Sequence, residues 1–393
     1  MLQFNYYMPT RIIFGPGKLA ELKTTPHLPG TKALIVTGAS GSMQRAGHLD
    51  RVKEYLADNG VDSVVYAGIT PNPTLDQVDA GADEFLARGC DFVLGLGGGS
   101  PIDSAKAIAV TAANGGSYWD YIARGTGGRK TPEHPAKPIV AIPTTAGTGT
   151  EADPWIVVSR LETQEKLGFG NESTLPVLSI VDPELMLSLP RNQTAYTGMD
   201  AFYHAVETSL ATIHQPGGDV LAWDAVRLVK ENLPRALEDG FDLEARTNLA
   251  WASTAAGICQ TLSASLLHHV MEHSLSALKP ELPHGLGLVI LSRAFFRTLE
   301  ERVPERFFRL AQSLGESAEQ GELPFSRGLA KLIAACGLAD ECLEKHGFTR
   351  GDVPELVDNV YATVGKHFEI TPTPLSREDV QAIFESSLKP LSG

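Results

Sequence analysis

The feature that most restricts the fold is a change of texture near the middle of the chain. Up to Leu189, short apolar runs of strand length alternate with helical runs. KALIVTG (Lys32 to Gly38), SVVYAG, DFVLGLGGG, PIVAIPTT and PVLSIVD read as strands. HLDRVKEYLADNG, LDQVDAGADEFLARG and PIDSAKAIAVTAANGG read as helices. Alternation of this kind predicts a parallel sheet with helices on both faces. From Thr194 onward the pattern is helical almost to the end, as in LAWDAVRLVKENLPRALEDG and ERFFRLAQSLG. The expected architecture is an α/β N-terminal domain over residues 1–189, a doubly wound, Rossmann-like parallel sheet. An all-α C-terminal domain over residues 190–393 follows.

Composition narrows the partners. With 43% hydrophobic and 20% charged residues, the 393-residue chain can bury a large core. The formal charge of −14 offers no basic face to displace phosphate counterions, so nucleic acid is excluded as a partner. Four cysteines (Cys90, Cys259, Cys336, Cys342) form neither a disulfide framework nor a Cys-x-x-Cys site. MLQFNYYMPTRIIFG has no positive segment followed by an apolar one, and a cytoplasmic location is expected. Thr247 to Met271 contains no Asp, Glu, Lys or Arg, yet Asn248, Gln260 and two histidines would be costly in hydrocarbon. We read it as a buried helix of a soluble domain, with no membrane contact.

DFVLGLGGGSPIDSAKAIA ends a buried strand in Gly95, Gly97, Gly98 and Gly99 and then opens a helix. Ser100 fits the N-cap, Pro101 the first helical position and Asp103 a capping box. Glycines allow close backbone approach, and the free N–H groups of a helix start favour a phosphate. An ordinary capped helix would explain the same residues. IPTTAGTGTEAD presents Thr144, Thr145, Thr148 and Thr150 after another strand, hydroxyls suited to a ribose or phosphate, although a polar surface turn has this composition too.

Six of the eleven histidines lie between His204 and His284. Asp200 and His204 are four apart in a helical run, as are His269 and His273, so each pair shares a face. His284 lies in LPHGLG, expected as a loop. One carboxylate and three imidazoles make a first shell for a divalent metal with an open position. His268 is expected to point elsewhere and His214 to lie at the surface. His27, His48, His134, His346 and His367 lack a partner at metal spacing and are read as structural. Trp155, Phe202, Trp251 and Tyr361 could line a pocket or belong to the core.

Together these motifs resemble the iron-containing (group III) alcohol dehydrogenase family over nearly the whole chain. The resemblance runs from IIFGPGKLAEL and PNPT through GGGSPIDSAKAIA, PTTAGTGTEAD and VDPELMLSLP to TGMDAFYHAVE and HHVMEHSLSALKPELPHGLG. It implies a dinucleotide-binding first domain and a metal-binding second domain, with catalysis in the cleft between them. It further implies that Asp200, His204, His269 and His284 are the metal ligands and that His273 is the catalytic proton relay. Gly98, Gly99 and Ser100 would contact pyrophosphate. Thr144, Thr145, Thr148, Asp103, Lys166 and Asn72 would be further cofactor positions.

Members that prefer NAD place an Asp after the strand where this chain has Gly38, Ala39 and Ser40. The missing carboxylate makes Gly38 and Ser40 cofactor positions that admit a 2′-phosphate, and NADP is expected over NAD. The metal is expected to be Fe²⁺, with Zn²⁺ the alternative, the substrate a small alcohol or aldehyde, and the assembly a homodimer or larger. A lyase similar to dehydroquinate synthase is the alternative; its phosphate-bearing substrate needs Lys and Arg that Thr247 to Met271 lacks. A non-catalytic nucleotide sensor would leave Asp200 and three histidines without a role.

Overall fold

The computed structural model describes residues 3–317 and 323–390. Eight strands are present among them: β1 (Arg11–Phe14), β2 (Lys32–Gly38), β3 (Asp62–Ile69), β4 (Phe92–Gly97), β5 (Ile139–Pro143), β6 (Ile156–Arg160), β7 (Glu165–Phe169) and β8 (Leu178–Val181). Six form one sheet in the order β1-β8-β5-β4-β2-β3, and every neighbouring pair is parallel. Alternate residues of β2 explain why its run is apolar from Ala33 to Val36. Ala33 and Ile35 pack with Val52 and Leu56 of α1 (His48–Asp58) on one face. On the other, Leu34 and Val36 pack with Val78 and Phe85 of α2 (Leu75–Ala87) and Ile108 of α3 (Gly99–Asn114). Both faces are covered, as the doubly wound expectation requires.

The chain runs outward from β2 to β3 and then returns across β2 to β4. This reversal opens a crevice at the carboxyl ends of β2 and β4, the place where open α/β sheets take ligands. Gly95 lets α3 lie close on the sheet, because a Cβ there would stand 2.8 Å from Ile102 Cα. The expected capping differs. α3 begins at Gly99, with Gly98 at the cap and no side-chain cap bond. Ser100 therefore falls inside the first turn, and the Asp103 carboxylate bonds elsewhere.

After β8 the described residues are helical. The helices of ten residues or more are α4 (Arg191–Leu210), α5 (Pro216–Glu238), α6 (Leu243–Leu262), α7 (Leu267–Leu278), α8 (His284–Arg302), α9 (Pro304–Ser313), α10 (Pro324–Ala335), α11 (Val353–Thr363) and α12 (Arg377–Ser386). Their core includes Phe202, Phe295, Phe296, Phe307 and Phe325, all fully buried. Three further departures matter for the site. The charge-free stretch is two helices, broken between Leu262 and Leu267. His284 is the first residue of α8 rather than a loop residue. β6 and β7 form an antiparallel hairpin outside the main sheet, unannounced because EKLGF buries a glutamate and a lysine where an apolar run would be sought. All four cysteines are free and buried. Among the described residues, no helix is long and apolar enough to cross a membrane.

Candidate active site between sheet and helices

Asp200 and His204 lie one turn apart on α4, facing His269 of α7 and His284 at the start of α8. Three imidazole nitrogens surround one carboxylate oxygen. From Asp200 Oδ1, His204 Nδ1 is 3.5 Å away, His269 Nε2 3.5 Å and His284 Nε2 3.7 Å. The rings of His204 and His269 stack at 4.3 Å. Asp200 Oδ1, His204 Nδ1 and His269 Nε2 are buried without a hydrogen-bond partner. Buried polar atoms are ordinarily paired, so three orphans facing one point call for an explanation. Ligand atoms about 2.1 Å from a tetrahedral ion stand roughly 3.4 Å apart. The three distances from Asp200 Oδ1 fit that geometry, and Asp200, His269 and His284 offer ligand atoms all within 4.8 Å of one another. A set of one oxygen and imidazole nitrogen donors suits Fe²⁺ or Zn²⁺.

Two carboxylates that the sequence reading missed orient the imidazoles. Glu207 Oε1 accepts hydrogen bonds from Nδ1 of His268 and of His269, each at 2.7 Å, while its Oε2 accepts the Leu266 N–H at 2.6 Å. Glu272 Oε2 accepts from His284 Nδ1 and, at 3.3 Å, from Lys166 Nζ. With Nδ1 donating in His269 and His284, Nε2 is the face each ring presents to Asp200. The sequence signal was available: Glu207 and Glu272 each follow a site histidine by three residues on the same helix.

Electrostatics favour a cation here. Burial alone would raise Asp200, but His204, His269 and His284 outweigh it and bring its pKa down to about 2. Glu207 and Glu272 are likewise held well below the usual range, against burial, by the neighbouring histidines and, for Glu272, Lys166. Burial lowers His204 to about 4. For His269 burial also lowers, but Glu207 and Asp200 draw it up to about 10. His273 is pushed well down by burial and by Lys166, which keeps its ring neutral.

The cluster opens into a cavity of about 630 Å³ that reaches the crevice of the sheet. Gly98 and Gly99 line its far end beside Thr145 and Thr148. The two loops touch: a Cβ on Gly99 would stand 2.5 Å from Thr148 Cγ2, and one on Gly98 would stand 3.3 Å from the Thr145 side chain. Gly97 adopts φ +147°, which a side chain would disfavour. Glycine here makes a cradle floored by main chain and walled by hydroxyls, a shape that fits a dinucleotide pyrophosphate at a helix N-terminus.

Comparison with known proteins decides the family. Residues 9–183 match the iron-containing alcohol dehydrogenase model, and residues 194–388 match the C-terminal model of the same family. The chain belongs to the iron-containing alcohol dehydrogenase family. It is similar to the 1,3-propanediol dehydrogenase of Citrobacter freundii, 34% identical over 90% of this chain and 92% of that protein. Alcohol dehydrogenase 4 of Schizosaccharomyces pombe is 32% identical over 98% of this chain and 89% of its own. A crystal structure of an archaeal halo-thermophilic alcohol dehydrogenase from a Red Sea brine pool superposes with a TM-score of 0.94. It is 36% identical and covers 99% of this chain and 100% of that one.

Within this iron-containing alcohol dehydrogenase fold, most of the expected residues meet in the one cavity. Gly38, Ser40, Asn72 and Ser100 line it with the glycine loop, and His273 lines it beside the metal cluster. Thr144 alone of the expected cofactor positions is absent from the cavity lining, and several of the others carry structural contacts as well. Thr144 is buried, and its N–H bonds the Gly97 carbonyl at 2.8 Å, so it joins strands rather than facing the cavity. Asp103 has both oxygens engaged, one by the Thr150 hydroxyl at 2.7 Å and one by the Val157 N–H at 3.0 Å. Asn72 donates to the Pro280 carbonyl at 2.8 Å, just ahead of His284. Lys166 stands at the metal end of the cavity, against Glu272. His268 is fully buried between Glu207 and the Leu288 carbonyl, away from the cluster.

His367, read from sequence as structural, lines the cavity, and so does Trp155. Phe202 is core, Trp251 packs at 5.7 Å from Phe14, and Tyr361 is exposed. The basic residues missing from Thr247 to Met271 are supplied from elsewhere, Lys166 from β7 and Arg124 from the loop before β5. That argument against a lyase therefore fails, and the family match decides for an oxidoreductase.

Proposed function

We propose that this protein interconverts small aldehydes and alcohols with NADP(H), using one divalent metal, Fe²⁺ foremost, held by Asp200, His204, His269 and His284. One observation carries the reading: three imidazole nitrogens converge at 3.5–3.7 Å on Asp200 Oδ1 inside the same cavity as the glycine cradle. When bound, the ion supplies Lewis acidity toward a carbonyl or alcohol oxygen, and the nicotinamide supplies or accepts a hydride at C4.

The chain's own groups do the rest. Glu207 and Glu272 hold His269 and His284 in the tautomer that turns Nε2 inward. Gly98, Gly99 and Ser100 take the pyrophosphate on main-chain N–H groups, with Thr145 and Thr148 alongside. His273, neutral and lining the cavity, relays the proton that the substrate oxygen gains in aldehyde reduction and loses in alcohol oxidation. Lys166, paired with Glu272, also lines the cavity as a cofactor-side position.

The preference for NADP rests on the turn after β2. Gly38, Ala39 and Ser40 offer no carboxylate to repel a 2′-phosphate. The exposed Arg45 guanidinium donates to the Ser40 carbonyl at 2.7 Å, placing a positive charge beside the turn. Arg45 carries no motif signal and was not anticipated.

A panel of short aldehydes and alcohols, assayed with both nicotinamides after loading with each candidate ion, tests the proposal. NADPH-dependent aldehyde reduction that disappears in His204→Ala, with nucleotide binding retained, is the expected result. Undiminished turnover in that variant removes the metal role.

A further inference from the structure

The cavity holds a cation without a counter-ion among the described residues. Arg124 lines the cavity, and its guanidinium donates to three main-chain carbonyls: Thr363 at 3.2 Å, Val364 at 3.4 Å and Gly168 at 3.3 Å. These engage at most three of its five N–H groups. Among the described residues, no carboxylate forms an ion pair with it. Burial alone acts on its pKa, downward. A half-buried charge satisfied only by carbonyls is costly unless something neutralises it.

The place matters as much as the charge. Gly168 and Lys166 are two residues apart on β7, about 7 Å along the strand. Lys166 is spent on Glu272, next to His284. Arg124 thus shares one cavity with Asp200 and its histidines and is bonded to the strand that carries Lys166. His367 lies beside it, with Nδ1 donating to the Val364 carbonyl, so Nε2 is left without a proton in the neutral ring.

We propose that Arg124 receives an anionic group at the far end of the substrate, which makes the preferred substrate a short aldehyde ending in a carboxylate, sulfonate or phosphate. This rests on the aldehyde-reducing reading above. Helix capping at the end of α11 accounts for the contacts to Thr363 and Val364. It does not account for an unneutralised charge facing a cavity.

The test compares kcat/KM for 4-oxobutanoate and for butanal, which differ by the terminal anion, in the metal-loaded enzyme with NADPH. A charge-assisted pair of this kind predicts a preference for the anion of roughly 10- to 100-fold. Arg124→Gln should collapse that ratio toward one, chiefly through KM, and Arg124→Lys should keep part of it. Sulfoacetaldehyde and glycolaldehyde phosphate, run in parallel, identify which anion fits best. Equal efficiency for butanal and 4-oxobutanoate in the wild type overturns the inference and leaves the dehydrogenase reading intact. So does a ratio that survives Arg124→Gln. The wild-type comparison decides alone if that variant does not fold. Failure to reduce any aldehyde overturns both.

Discussion

Glu207 Oε1 lies 2.7 Å from Nδ1 of His269 and fixes which nitrogen that ring turns toward Asp200. The same oxygen receives His268, whose other nitrogen meets the Leu288 carbonyl at 2.9 Å. A carboxylate behind the cluster thereby sets the orientation of a proposed metal ligand. Glu207→Gln should lower affinity for the divalent ion by about 10- to 100-fold. Titration against a competing chelator measures this, and an unchanged affinity would show that the ring is held by packing alone.

Gly99 and Thr148 bring two loops into contact at the phosphate end of the cavity. In Gly99→Ala the new methyl would stand 2.5 Å from Thr148 Cγ2, and the threonine must yield. Moving a proposed cofactor contact in this way should raise KM for NADPH roughly tenfold or more. Metal content should stay as in the wild type. A variant that loses metal instead would mean that the two ends of the cavity are not separable.

Arg45 is the only basic side chain hydrogen-bonded to the turn after β2 among the contacts described above. Arg45→Ala should reduce the NADPH-to-NADH ratio of kcat/KM by about tenfold, the effect of one charged contact to phosphate. Steady-state kinetics with both nucleotides gives the ratio directly. No change would leave the missing carboxylate as the sole ground for NADP preference.

His367 supplies a pH signature. Burial lowers its pKa to about 4; the Val364 hydrogen bond opposes this, and the Arg124 charge adds to it, with Glu207 and His269 acting weakly. The unfolded chain protonates this ring near pH 6.5, and the folded chain only near 4. Between those values the unfolded state binds more protons, so stability falls as pH drops through the window. The loss at pH 5 relative to pH 7 should be about 1–2 kcal/mol, and His367→Gln should abolish that part of it. Urea unfolding of the metal-free protein at both pH values checks this. Parallel acid losses in the two proteins would disprove it.

The main features of both halves were readable in the sequence because each is a statement about periodicity. A strand buried on both faces, such as β4, must be apolar throughout, and the helices show their own spacing. The cluster of Asp200 and three histidines was readable because Asp200 and His204 share a helix face, and the family motifs pointed to His269 and His284. What escaped detection lacks such a signature. Glu165 and Lys166 interrupt the apolar pattern of β7 because they are satisfied inside the protein, by Thr126 and Glu272 among others. Glu207 looks like any helical glutamate until His268 and His269 are folded onto it. Arg124 and His367 sit 243 positions apart, and no local pattern connects them. The expected cap at Ser100 failed because the helix begins two residues earlier than expected, within the glycines themselves.

The helix carrying Gly257 and the threonine-rich loop carrying Gly149 meet backbone to backbone; a Cβ on Gly149 would stand 2.6 Å from Gly257 Cα. Two bare positions, one from each half, form a seam with no side chain between them. The spacing between the glycine cradle and the histidine cluster is therefore gauged by peptide planes in direct apposition, and enlarging either glycine would wedge the two ends of the cavity apart.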